Sequence, residues 1–110
     1  MIEQEKIIVQ INSIEDKYKE LKKEIKDVIL EWAKESGNTH IPLKNEEKRV
    51  IYDPSREELA INVVFRAIRI SEDQIFVDAD YYRSYNFDIL SLSDMYFVYM
   101  EIKRVIIDNL

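Results

Sequence analysis

The pair of residues best placed for chemistry in this sequence is Asp78 and Asp80. Side chains two apart on a strand share a face, so both carboxylates would reach one hard cation such as Mg²⁺ and support a metal-dependent hydrolysis. No third or fourth ligand can be named at a matching spacing. The pair also reads as the solvated side of a strand whose other side holds Ile75, Val77 and Ala79. We favour that plainer reading and assign no metal ligand.

His40 is the only histidine, so a nucleophilic triad would have to be built on it, and nothing near it resembles a nucleophile elbow. There is no cysteine, which excludes disulfides, thiolate chemistry and Cys-based zinc sites. The single glycine, Gly37, cannot make a phosphate-cradling loop. Three tripeptides, Glu20-Leu21-Lys22, Glu46-Glu47-Lys48 and Glu101-Ile102-Lys103, match part of a nuclease motif. None follows a strand able to supply the Asp that would hold the metal, so all three are attributed to chance. The expectation is a protein with no catalytic residue and no cofactor.

Charge points toward proteins as partners. The net charge is −6, and residues 71–95 hold six acids against Arg83 alone, a local net of −5. Such a chain is ill suited to phosphate backbones, so direct nucleic-acid binding is not expected. It suits a protein with a basic surface. Tyr81, Tyr82, Arg83 and Tyr85 lie in this stretch beside Asp78 and Asp80, and Tyr and Arg are the side chains that most often anchor protein interfaces. The ordinary alternative is that these aromatics cap the sheet edge. An acidic inhibitor or nucleic-acid mimic, with the carboxylates standing in for phosphates, is a second functional reading of the same residues.

The elements that position these residues are legible in the hydrophobic pattern. Ile7, Ile11, Ile14, Tyr18, Leu21, Ile25, Val28 and Trp32 recur at alternating spacings of four and three, a heptad seam of nearly four repeats. Ser13 and Asp16 resemble a capping box, and Ile7-Ile8-Val9-Gln10-Ile11 has strand-like composition. One continuous helix from about residue 5 is preferred, because Ile7 and Ile11 keep the phase of the seam. Gly37 predicts a left-handed stop, and Pro42 discourages resumption. Arg49–Tyr52, Leu59–Ile70 and Ile75–Asp80 read as strands, with a turn at Asp53-Pro54-Ser55 and another at residues 71–74. The alternation of the middle strand changes phase near Arg66 and Ala67, which predicts a β-bulge. Ser91 with Asp94 opens a closing helix whose stripe is Leu92, Met95, Tyr96, Tyr99, Ile102 and Ile106. The whole is a single α+β domain over 1–110: a long helix, a three-stranded antiparallel meander and a C-terminal helix.

Composition bounds the rest. Hydrophobic residues are 46% and charged residues 35% of the chain, as in a globular protein. The longest apolar run, Met95 to Met100, is far too short to span a bilayer. Met1-Ile2-Glu3-Gln4-Glu5 is acidic where an export leader would be basic. With the lack of cysteine, this predicts the cytoplasm. A helix from about residue 5 to 36 is about 48 Å long at 1.5 Å per residue. A globule of this size is only about 34 Å across. The helix is therefore expected to overhang by roughly two to three turns, baring Ile7, Ile8, Val9 and Ile11, and Ile7, Ile8, Ile11 and Ile14 are the residues expected to meet a partner. Its second half, Leu21 to Trp32, is read as core. The leading functional expectation is a non-enzymatic interaction protein, homodimeric through the N-terminal helix, with the acidic, Tyr-rich stretch as a second contact surface.

Overall fold

A computed structural model describes residues 2–53 and 58–110. Helix α1 runs Ile2–Ser36, strand β1 His40–Pro42, β2 Lys48–Asp53, β3 Glu58–Ser71, β4 Gln74–Ala79 and β5 Arg83–Asn86. A 3₁₀ turn, Phe87–Ile89, leads into α2, Leu92–Asp108. The class is α+β as expected, with five strands among the described residues where the sequence suggested three. The expected turn at Asp53-Pro54-Ser55 falls at the edge of the undescribed residues, Pro54 and Ser55 lying outside the described ones.

The long strand β3 organises the sheet. Its first half pairs antiparallel with β2, from Asp53↔Glu58 to Lys48↔Val64. Its second half pairs with β1 on one side and with β4 on the other. The register against β4 shifts between Phe65 and Ala67, where the alternation of the sequence changes phase. The extra residue turns Ile68 and Ile70 back toward the core after Val63 and Phe65, so both halves bury their apolar sets. β5 completes the sheet against β4, with Val77 opposite Tyr85.

Both helices lie over the apolar side of this sheet. Ile29 and Val98 meet Val63, Phe65, Ile68, Ile75, Val77, Tyr85 and Phe87 in one buried cluster. In α1 the buried stripe is Ile25, Ile29 and Ala33, at spacings of four. This corrects the expectation that the seam from Leu21 to Trp32 is core: Leu21 and Val28 are 43% and 50% exposed. The body takes the flank of the seam that carries Ile29 rather than the seam itself. Gly37, at φ +73°, ends the helix, and its N–H donates to the Ala33 carbonyl. In α2, Ser91 Oγ accepts from the Asp94 N–H and donates to the Asp94 carboxylate. Tyr96, placed in the apolar stripe by its spacing, is exposed, while Val98 is fully buried.

Candidate protein-interaction surfaces

The first surface is α1 itself. Its 35 residues extend about 52 Å at 1.5 Å each, and the long axis of the whole molecule is 54 Å. Every described side chain from Glu3 to Leu21 is exposed. The first anchors to the body are the Tyr18 hydroxyl, which accepts from the Leu92 N–H at the start of α2, and the buried Ile25. The overhang carries Ile7, Ile8, Ile11 and Ile14, exposed by 48% to 65%. Val9, Tyr18, Leu21 and Val28 are exposed as well, so the bare seam continues along the docked half. There it borders Tyr96 and Met100 of α2. Leu21, Ile25 and Val28 with Tyr96, Tyr99 and Met100 line an open groove of about 370 Å³. The sequence pattern singled out the overhang but not this groove. The signal was present in Leu21 and Val28, which continue the seam past the point where Ile25 turns inward.

The second surface is smaller than the sequence suggested. Tyr81 and Tyr82 form the β4–β5 turn, with φ of +60° and +58°, and are 75% and fully exposed. Left-handed backbone is costly for a bulky side chain, so this tip holds two aromatics in water at a backbone cost. Tyr85, expected beside them, is instead core at 1% exposure, and Arg83 is half-buried on β5. Alternation explains the difference: once Arg83–Asn86 is a strand, Tyr85 must point to the face opposite Ser84 and Asn86.

The acids grouped with these tyrosines serve the chain itself. Asp78 accepts from Arg69 through both carboxylate oxygens, at 3.2 Å each, and from Ser84 Oγ at 2.8 Å. Partial burial raises its pKa. The hydrogen bonds from Arg69 and Ser84, with the charges of Arg69 and His40, outweigh that and hold it below the ordinary carboxylate value. Asp80 lies in the turn after β4, not in a strand. Its Oδ1 accepts from the Val64 N–H, and its own N–H donates to the Val64 carbonyl, which closes the ladder beside the bulge. Asp88 pairs with Lys26 of α1 at 2.9 Å, and Asp94 is buried against Arg49 at 2.8 Å. Glu72 and Asp73 sit in the β3–β4 turn, at the opposite end of β4 from Asp80. This arrangement does not supply the continuous carboxylate surface that imitation of phosphates requires.

Ser84, Asp78, Arg69 and His40 project on the exposed side of the sheet from β5, β4, β3 and β1 in that order. Ser84 Oγ donates to Asp78, and Arg69, which also donates to that carboxylate, lies on the strand between those of Asp78 and His40. Two strand spacings, about 10 Å, separate the strands that carry Asp78 and His40. Among the described residues, no three His, Cys, Asp or Glu side chains are grouped to hold a metal ion. A cavity of about 610 Å³ is an open trough between Trp32, His40 and Ile106. Among the described residues no helix is long and apolar enough to cross a membrane. Comparison with protein families, with curated proteins and with solved structures gives no match.

Proposed function

We propose that the chain is a non-enzymatic interaction protein that pairs with a second copy of itself through α1. The carrying observation is the exposed seam, with Ile7, Ile11, Ile14, Tyr18, Leu21 and Val28 all more than 40% exposed along one helix. Apolar surface of this extent marks an interaction site in a water-soluble protein. A second copy supplies an identical stripe of matching length. The Tyr81–Tyr82 tip is a second contact point, toward another protein and aromatic rather than acidic in character. The cysteine-free chain fits a reducing compartment such as the cytoplasm.

Sedimentation equilibrium at micromolar concentration tests the pairing. The wild-type chain is expected to run as a dimer and the Ile11→Lys/Ile14→Lys variant as a monomer. Both side chains are exposed, so the variant keeps its fold. A wild-type chain that stays monomeric would remove the proposal.

A further inference from the structure

Resting on that reading, we infer that the two copies of α1 pair antiparallel in one register, with the overhang of each lying in the α1–α2 groove of the other. Core layers then join the partner's Ile7 to Trp32, Ile11 to Val28, Ile14 to Ile25, and Tyr18 to Leu21.

The residues flanking the seam favour this arrangement. With Ile11, Tyr18 and Ile25 at a positions and Ile7, Ile14, Leu21 and Val28 at d, the g positions are Gln10, Lys17, Glu24 and Glu31. The e positions are Ile8, Glu15, Lys22 and Ile29. These flanks set the orientation and register of a helix pair. In a parallel pair g meets the following e of the partner, which sets Lys17 against Lys22 twice. In an antiparallel pair g meets g and e meets e. The register above sets Lys17 against Glu24 and Gln10 against Glu31, with no like charges opposed on the g flank; on the e flank Lys22 is half-buried beside β2 and the start of α2, its Nζ over the Tyr18 ring. Shifted one heptad toward the N-terminus, Lys17 would face its own copy, as would Glu15. Shifted one heptad the other way, Lys22 and Glu24 would each face themselves. One arrangement in four avoids repulsion, and it is also the one that covers the whole seam.

The fold agrees with this choice. The groove between α1 and α2 is lined by Leu21, Ile25 and Val28, the layers assigned to the partner's Tyr18, Ile14 and Ile11. Glu24 lies on its rim, where Lys17 of the partner subunit would arrive. Ile29, which would meet the partner's Ile8, is fully buried in its own core. On that flank, Tyr96, Tyr99 and Met100 of α2 supply the apolar wall instead.

The absence of native cysteine makes the test clean. Lys17→Cys and Glu24→Cys chains, both altered at exposed positions, are treated with a short bis-maleimide separately and as a mixture. A covalent dimer in the mixture, and none with either variant alone, is the expected result. Linkage of Lys17→Cys alone, or of Lys17→Cys mixed with Lys22→Cys, would overturn the register while leaving the homodimer standing. A wild-type chain that sediments as a monomer would overturn both. Charge reversal gives an independent readout: Lys17→Glu and Glu24→Lys should each weaken dimerisation about tenfold, a total of about 1.4 kcal/mol over two symmetric contacts. The double reversal should restore it. Failure of that restoration would also overturn the register.

Discussion

Arg49 and Asp94 form the ion pair on which the docking of α2 depends. Their side chains are only 15% and 8% exposed, and they join β2 to the first turn of the helix. Arg49 also donates to Ser93 Oγ and stacks over the Phe97 ring at 4.6 Å. Removing one partner strands a desolvated charge, so Arg49→Ala should lower unfolding stability in urea by about 3 kcal/mol. Asp94→Asn should do less harm, since the amide keeps a hydrogen-bond acceptor for Arg49. Asp78 gives a pH signature. Its folded pKa is depressed, so its contribution is present above the unfolded value of about 3.9 and is lost as pH falls through the folded value. Thermal melts from pH 5 downward should show that loss, and Asp78→Asn should flatten it. None of these pairings was legible in the sequence. Arg49 and Asp94 are 45 positions apart, and only the folded sheet brings them together.

Among the elements, α1 was the most legible, because its period persists over so many turns. Which side of it faces the body was not. Ile25, Ile29, Leu30 and Ala33 compete with Leu21 and Val28 as apolar faces, and only the position of α2 decides between them. The bulge in β3 was readable from a change of phase at Arg66. β1 was missed because three residues ending in proline carry no periodicity. β5 was missed because its hairpin turn lacks the glycine or asparagine that normally announces one. That turn makes its own prediction. Replacing Tyr81 and Tyr82 by Asn and Gly relieves left-handed strain at two side chains that face solvent. The swap should raise stability by about 1 kcal/mol in chemical denaturation. If the tip is a contact point, the same swap should abolish capture of its protein partner.

At the scale of the whole molecule, the helix sets the shape. A body 35 by 24 Å in section is carried on one rod that runs the full 54 Å. A dimer held along that rod ties stability to concentration by mass action. The melting temperature of the wild-type chain should therefore rise with protein concentration from the nanomolar to the micromolar range. That of Ile11→Lys/Ile14→Lys should stay constant, with the body intact. A concentration-independent melt of the wild-type chain would argue against pairing on the same grounds as sedimentation.

The bare first half of α1 has a kinetic consequence as well. A stretch of about fifteen residues whose described side chains are all exposed is near the length at which an isolated helix is marginal in water. In a lone chain its turns are held by continuity with the segment that begins at Tyr18 rather than by packing, so they open readily. The proposed pairing would then order backbone as well as cover side chains, and recognition would become partly a folding reaction. Amide protons of residues 3–17 should exchange quickly in dilute solution and slowly in concentrated solution, while those around Ile29 stay protected in both.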